Sequence, residues 1–330
     1  MNRLIVVILI AAGLWMGWWA VGSIALDHAL NAWIAARQAA GWNVRVDSLS
    51  VEGFPNRFDT TLTGVRLADP KTGVSWTAPF VQFLSLAYRP TRVIAVLPPE
   101  HDLTLPGESL AITSTRTRAS VFLRARPSLP LDRAILVADN LGVASTAGWD
   151  LAVTQARLAA EPETGGEHAY RIGAEADGLR PPQPLRHLLD PAASLPQTLS
   201  RLHFDATARL TGPLDRSALE KAPPRLTAID LADLSGTWGA VSLSAAGRLT
   251  LDGDGRPEGT LSLHATEWRR ILDMAATAGL VKSADRPGIE RALALLEGRD
   301  GALDVPLTFA KGIAALGPFP LGPAPRLARP

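Results

Sequence analysis

The nine residues Leu202–Leu210, LHFDATARL, decide the class of this fold: Leu202, Phe204, Ala206, Ala208 and Leu210 alternate with His203, Asp205, Thr207 and Arg209. A period of two marks a β-strand with one dry and one wet face, because successive side chains leave the pleat on opposite sides. Val241, Leu243, Ala245, Leu249 and Leu251 repeat the pattern, and so do Leu261, Leu263 and Ala265. Between those two runs stands Asp252-Gly253-Asp254-Gly255-Arg256-Pro257, a cluster of turn formers, so the pair predicts an antiparallel hairpin.

Toward the N-terminus strands are predicted near 43–52, 57–68, 74–88, 91–97, 109–113, 115–125, 133–139 and 149–159, with breaks such as Gly53-Phe54-Pro55 and Asp69-Pro70-Lys71-Thr72-Gly73. No helical pattern intervenes, which excludes βαβ units and points to antiparallel pairing. Helices are predicted at 267–280 and 287–297, the second opening on Pro287 and carrying Ile289, Leu293 and Leu296 as its apolar stripe. A strand Leu303–Phe309, a turn at Gly312 and a Pro/Gly-rich tail close the chain. The expected class is mainly β (α+β): a long curved antiparallel sheet or an open β-sandwich, with an N-terminal transmembrane helix and two short helices near the C-terminus.

Leu4–Leu26 runs 23 residues without a charge. At 1.5 Å per residue that is about 35 Å of helix, enough for a bilayer core of about 30 Å. A cleaved signal peptide is the competing reading; its apolar core spans about 7–15 residues, but the triplets Ala20-Val21-Gly22 and Ser23-Ile24-Ala25 leave cleavage open. Arg3 before the run, with Asp27 and His28 after it, favours the N-terminus inside, hence a single-pass inner-membrane protein with its body in the periplasm. Trp18 and Trp19 suit the membrane–water boundary. Leu26, Leu30, Trp33, Ile34 and Arg37 continue at helical spacing to Gly41. The expected domains are an anchor over 1–26, an amphipathic stalk over 27–41, a β half over 42–180, a Pro-rich connection over 181–200 and a second β half with two helices over 201–330.

The chain has 330 residues, 47% of them hydrophobic and 20% charged, which excludes intrinsic disorder. Lys and Arg number 33 against 32 acidic residues, a balance that argues against a nucleic-acid partner. Without cysteine there is no disulfide frame, thiolate metal site or cysteine nucleophile. No P-loop, dinucleotide fingerprint, HExxH or GxSxG pattern occurs, and the Asp252-Gly-Asp254 loop lacks the glutamate that an EF-hand needs twelve positions on. No enzyme activity, cofactor or metal is expected.

Two groups of residues stand out. Arg116, Arg118, Arg124 and Arg126 share one parity, so on an unbulged strand they form one face, suited to lipid phosphates or other anionic polymers, or simply a solvated outer face. Phe80, Val81, Phe83, Leu84, Leu86 and Tyr88 are apolar on both parities, as are Ile135, Leu136, Val137 and Ala138. Such strands are either covered on both sides or curl into an acyl-chain groove, with Val81, Phe83, Leu84, Leu86 and Leu136 as its candidate lining.

Val51-Glu52-Gly53-Phe54-Pro55-Asn56-Arg57-Phe58-Asp59, with Leu67-Ala68-Asp69-Pro70, Trp76, Ala78-Pro79, Gly236-Thr237-Trp238, Ala246-Gly247-Arg248-Leu249 and Leu316-Gly317-Pro318, resembles the bacterial family known as domain of unknown function 2125. An anchor followed by alternating strands is more loosely similar to AsmA-like envelope proteins, a resemblance that implies a curved sheet with an apolar interior and a part in lipid movement or envelope maintenance. The expected function is non-catalytic binding or shielding of lipid acyl chains, with membrane lipids and envelope proteins as partners; the alternative is a membrane-tethered scaffold acting through protein partners.

Overall fold

The computed structural model describes residues 2–220, 223–279, 281–282 and 284–328. Among them the chain is mainly β, with every named strand pairing antiparallel, and it divides into two compact units. The first comprises Met1–Ala125 with Leu136–Gly148, the second Arg126–Ile135 with Trp149–Pro330.

The first unit opens with α1 (Asn2–Ala39), a single helix that includes both the apolar run and the expected stalk. It is long and apolar enough to cross a membrane. Gly41 at φ +90° ends it, and the Trp42 N–H reaches back to Arg37 O at 3.0 Å, so glycine supplies the left-handed residue that a helix end of this kind requires. The strands are β1 (Asn43–Arg45), β2 (Ser48–Glu52), β3 (Arg57–Asp69), β4 (Val74–Leu86), β5 (Arg89–Leu97), β6 (Glu100–Leu105), β7 (Glu108–Thr113), β8 (Arg116–Leu123) and β9 (Leu131–Ser145), the last running on from the second unit. β3 pairs with β1, β2 and β4, and β5 joins β4 to β8. Leu62, Val65 and Val81 form the core, with Leu30 of α1, Leu49 and Phe83 packed on it.

The second unit is a meander of β10 (Asp150–Pro162), β11 (Ala169–Leu179), β12 (Leu199–Leu210), β13 (Leu226–Trp238), β14 (Val241–Leu251), β15 (Pro257–Thr266), β16 (Leu303–Ala310), β17 (Ile313–Leu316) and β18 (Phe319–Pro323), each pairing with the next. The alternation in β12 holds: Ala206 and Ala208 are buried, while Asp205 and Arg209 on the other face reach Arg171 and Asp230. The β14–β15 hairpin closes as expected, with Asp252 Oδ1 accepting the Asp254 and Arg256 N–H groups. Ala206, Leu231, Ala245, Leu249, Leu261 and Phe309 make its core.

Four helices complete the unit: α2 (Gln183–Leu189), α3 (Arg216–Glu220), α4 (Trp268–Thr277) and α5 (Arg286–Ala294). The first predicted C-terminal helix stops at Thr277, and its expected last residue, Leu280, lies outside the described residues. Leu296, assigned to the stripe of the second, lies past the end of α5 and is exposed. The Pro-rich stretch 181–200, expected between two halves, falls inside the second unit, because β11 and β12 on either side of it pair from Leu179↔Leu199 to Ala169↔Arg209.

Candidate lipid-binding cavity

On one face of the second unit, α4 and α5 pack on the sheet through the buried Trp268, Leu272, Leu293, Leu303 and Val305 and border an apolar cavity of about 370 Å³. Trp268, Ile271, Leu272 and Ala275 line it from α4, at the i, i+3, i+4, i+7 spacing that puts four side chains on one stripe. Ile289 and Leu293, one turn apart on α5, add the second helical wall. The floor is the sheet: Leu243 on β14, Leu263 and Ala265 on β15, and Leu303 and Val305 on β16, where Leu263 pairs with Val305 and Ala265 with Leu303. Leu316, Phe319 and Leu321 close one end from β17 and β18. Among the described residues all seventeen that line it are apolar types, and the volume falls in the range of about 300–1,000 Å³ typical of small-molecule sites.

Charges are confined to the outside of the helices. The Arg269 guanidinium lies 4.2 Å over the Trp268 ring and donates to Glu297 through both Nη atoms, at 2.9 and 2.8 Å. Arg269 holds the Glu297 carboxyl below the usual carboxylate range. Arg286 Nε donates to Asp273 at 2.8 Å and so ties α5 to α4. The Trp268 Nε1–H is buried and closes no hydrogen bond, although it lies near enough to Glu297 to add to that lowering. An apolar chamber with one indole donor at its wall can hold a hydrocarbon chain.

Several charged side chains elsewhere in the second unit are matched to one another. A recess of about 420 Å³ is lined by Arg133, Glu161, Arg171, His203 and Asp205, yet Arg133 pairs with Glu161 at 2.8 Å and Arg171 with Asp205 at 2.6 Å. The Arg171 guanidinium donates to the Asp205 carboxyl and holds it below its ordinary range. Asp230 sits between Arg248 and Arg209 with the same result. Among the described residues no group of three His, Asp or Glu is arranged to hold a metal ion.

The four arginines do not form one strand face. Arg116 and Arg118 share a face of β8 on either side of the buried Thr117, but β8 ends at Leu123 and the chain turns, with Leu129 N–H reaching Arg126 O, so parity does not carry on to Arg124 and Arg126. Arg116 is engaged already, its Nε 2.8 Å from Asp139 Oδ2. Nor do Val81, Phe83, Leu84, Leu86 and Leu136 line one groove. Val81 and Phe83 pack toward the core under α1, whereas Leu84 and Leu86 leave β4 on the opposite side, in a shallow recess of about 380 Å³ with Arg57, Arg92, Ile94 and Phe122. Leu136 is half-buried in β9, outside that recess. Of the cavity residues on the two helices, only Ile289 and Leu293 were visible in the sequence, as part of a helical stripe; nothing in a stripe tells which sheet face it meets.

A family model described as an uncharacterized protein conserved in bacteria (DUF2125) matches residues 19–325, most of the chain. The chain belongs to the DUF2125 family. The match takes in both units and the whole DUF2125 cavity wall, from Leu243 to Pro323, and it begins at Trp19, inside the apolar part of α1. No curated protein and no solved structure matches the chain.

Proposed function

We propose that this protein is a non-catalytic lipid-binding protein of the bacterial envelope, held in the inner membrane by α1 with its β-rich body in the periplasm. The cavity of the second unit takes an acyl chain. The observation that carries this reading is the uniformly apolar lining between α4, α5 and the β14–β16 floor, in a volume suited to a small ligand. A long apolar N-terminal helix and a looser resemblance to AsmA-like envelope proteins support the same reading.

The test uses the full chain in mild detergent with a phospholipid carrying a photoreactive acyl chain. Crosslinks are expected on peptides of α4 and β16. Ala275→Trp, which fills the cavity, should abolish them while the circular dichroism stays unchanged. Crosslinks that avoid those peptides, or that persist in Ala275→Trp, refute the reading. A second reading, a tethered scaffold that works through protein partners, is favoured by Leu295 and Leu296, 86% and 46% exposed just past α5. Under that reading Ala275→Trp changes nothing, and Leu295→Asp removes the interaction.

A further inference from the structure

Three indole N–H groups of α1 are spent on main-chain oxygens of the first unit. Trp15 Nε1 donates to Pro55 O at 2.9 Å, Trp18 Nε1 to Ala87 O at 3.2 Å and Trp19 Nε1 to Arg57 O at 2.7 Å. Trp19 also meets Phe54 edge-on at 5.3 Å and stacks on Phe58 at 6.2 Å. All these partners belong to one end of the β3–β4 hairpin, where the Ala87 N–H closes on Asn56 O. The hairpin turn, Asp69–Gly73, lies at the other end, about 40 Å away at the rise of an extended strand.

That docking fixes a depth. Counted from Leu4 along the helix, Trp15 lies about 17 Å and Trp18 and Trp19 about 21–23 Å into a hydrocarbon core about 30 Å thick. The oxygens they hold are therefore on the hydrocarbon side of the far boundary. A bare carbonyl there costs several kcal/mol, since no water reaches it, and an indole donor on each removes that penalty. Part of this edge suits the same surroundings: Phe54 and Tyr88 are more than half exposed and Leu86 is exposed beside them, while the exposed Arg57 closes its charge on Asp59 at 2.9 Å. Arg89 and Arg92 follow Tyr88 on β5, both exposed and, among the described residues, without a carboxylate partner; Arg92 is about 13 Å up the strand from Tyr88.

We infer that the open end of the β3–β4 hairpin is immersed in the bilayer, with Phe54 and Tyr88 among the acyl chains and Arg89 and Arg92 at the level of the lipid phosphates. The inference rests on the reading that α1 spans the membrane. The first unit thus sits in the outer face of the membrane instead of hanging from it on a stalk. Anionic phospholipid is its partner: long arginine side chains lift their charge to the phosphates while their stems stay among apolar groups.

The chain has no cysteine, so single-cysteine variants report one position each. Full-length Phe54→Cys, Tyr88→Cys, Thr72→Cys and Leu9→Cys are labelled with an environment-sensitive fluorophore and reconstituted in phosphatidylcholine–phosphatidylglycerol vesicles containing nitroxide-labelled lipid. Positions 54, 88 and 9 should lose most of their emission to the nitroxide, and position 72 should keep it. Quenching at 9 with water-like emission at 54 and 88 overturns the inference and leaves the span standing; no quenching at 9 overturns the span and the inference together. Replacing Trp15, Trp18 and Trp19 together by Phe keeps the span apolar and removes the donors, so position 54 should regain emission. Arg89→Gln with Arg92→Gln should erase any difference in quenching between vesicles with and without phosphatidylglycerol, and a difference that survives refutes the phosphate contact.

Discussion

Gly22 and Gly13 lie on the same helix and answer one question by contrast. A Cβ on Gly13 would meet nothing within 4 Å, whereas on Gly22 it would lie 2.5 Å from Cζ of Phe58, a ring only 3% exposed. Ordinary carbon contacts are about 3.5–4.0 Å, so Gly22→Ala requires the ring to retreat by about 1 Å. Trp19 stacks on that ring and limits its retreat. Overpacking of this kind costs about 1–3 kcal/mol. Helix propensity favours Ala over Gly by about 1 kcal/mol, but α1 in detergent stays helical when the β body melts, so that gain is common to both states and cancels. Gly13→Ala should therefore leave the melting midpoint of the full-length protein, followed by near-ultraviolet circular dichroism, within a degree or so of the parent. Gly22→Ala should lower it, at roughly 2–4 °C per kcal/mol for a body of this size. Adding Phe58→Leu to Gly22→Ala should recover part of the loss, because the shorter side chain leaves room for the methyl. If Gly22→Ala and Gly13→Ala melt alike, α1 does not seat on Phe58 and the depth argument built on that docking fails with it.

Gly247→Ala should destabilise the second unit by about 1–3 kcal/mol, since its Cβ would come 2.4 Å from the Thr260 carbonyl oxygen in backbone that cannot swing aside; a denaturant midpoint equal to the parent's contradicts that packing. Leu293→Ala removes a side chain 2% exposed from the cavity wall and should cost about 2–5 kcal/mol in the same assay. A loss near zero would mean that the wall is slack. Burial lowers the pKa of His101, whose Nδ1 is buried without a hydrogen bond. The folded state then prefers the neutral ring, so the contribution of His101 is complete above its ordinary pKa of about 6.5 and declines as pH falls through the lower folded value. Melting curves at pH 7.5 and 5 should fall less in His101→Gln than in the parent, and equal slopes would refute the assignment.

Much of the sheet was legible because β12, β14 and β15 keep strict alternation over their buried residues. β13 was not legible because a bulge breaks its alternation. Asp205 pairs with Asp233 and Ala206 with Leu231, so Ala232 is passed over, and the apolar residues shift from odd numbers (Ile229, Leu231) to even ones (Leu234, Trp238) without changing face. β4 conceals a similar switch: Gly64 at φ +55° on the neighbouring strand accompanies the change from Ala78 to Val81 on the core side, so apolarity on both parities reads as two greasy faces where part of it is one. The tryptophans of α1 were placed at the membrane boundary by their chemistry, but their acceptors lie 38 to 69 residues along the chain, and no local pattern carries that information. Spacing likewise revealed the stripe of α5, while the cavity beside it exists only once β15 and β16 have paired.

The neighbour-only pairing of the second unit bears on how the chain is made. From β10 to β18 each strand needs only the strand synthesised just before it, so order can spread in the direction of synthesis, and an emerging strand always finds its template already in place. The first unit lacks that property. β5 waits for β8 and β7 waits for β9, so the edges of both strands stay unpaired while the intervening residues appear. During that interval α1, which precedes these strands in the chain, is a long apolar surface against which β2 and β3 can settle, which makes the helix a folding platform for the sheet.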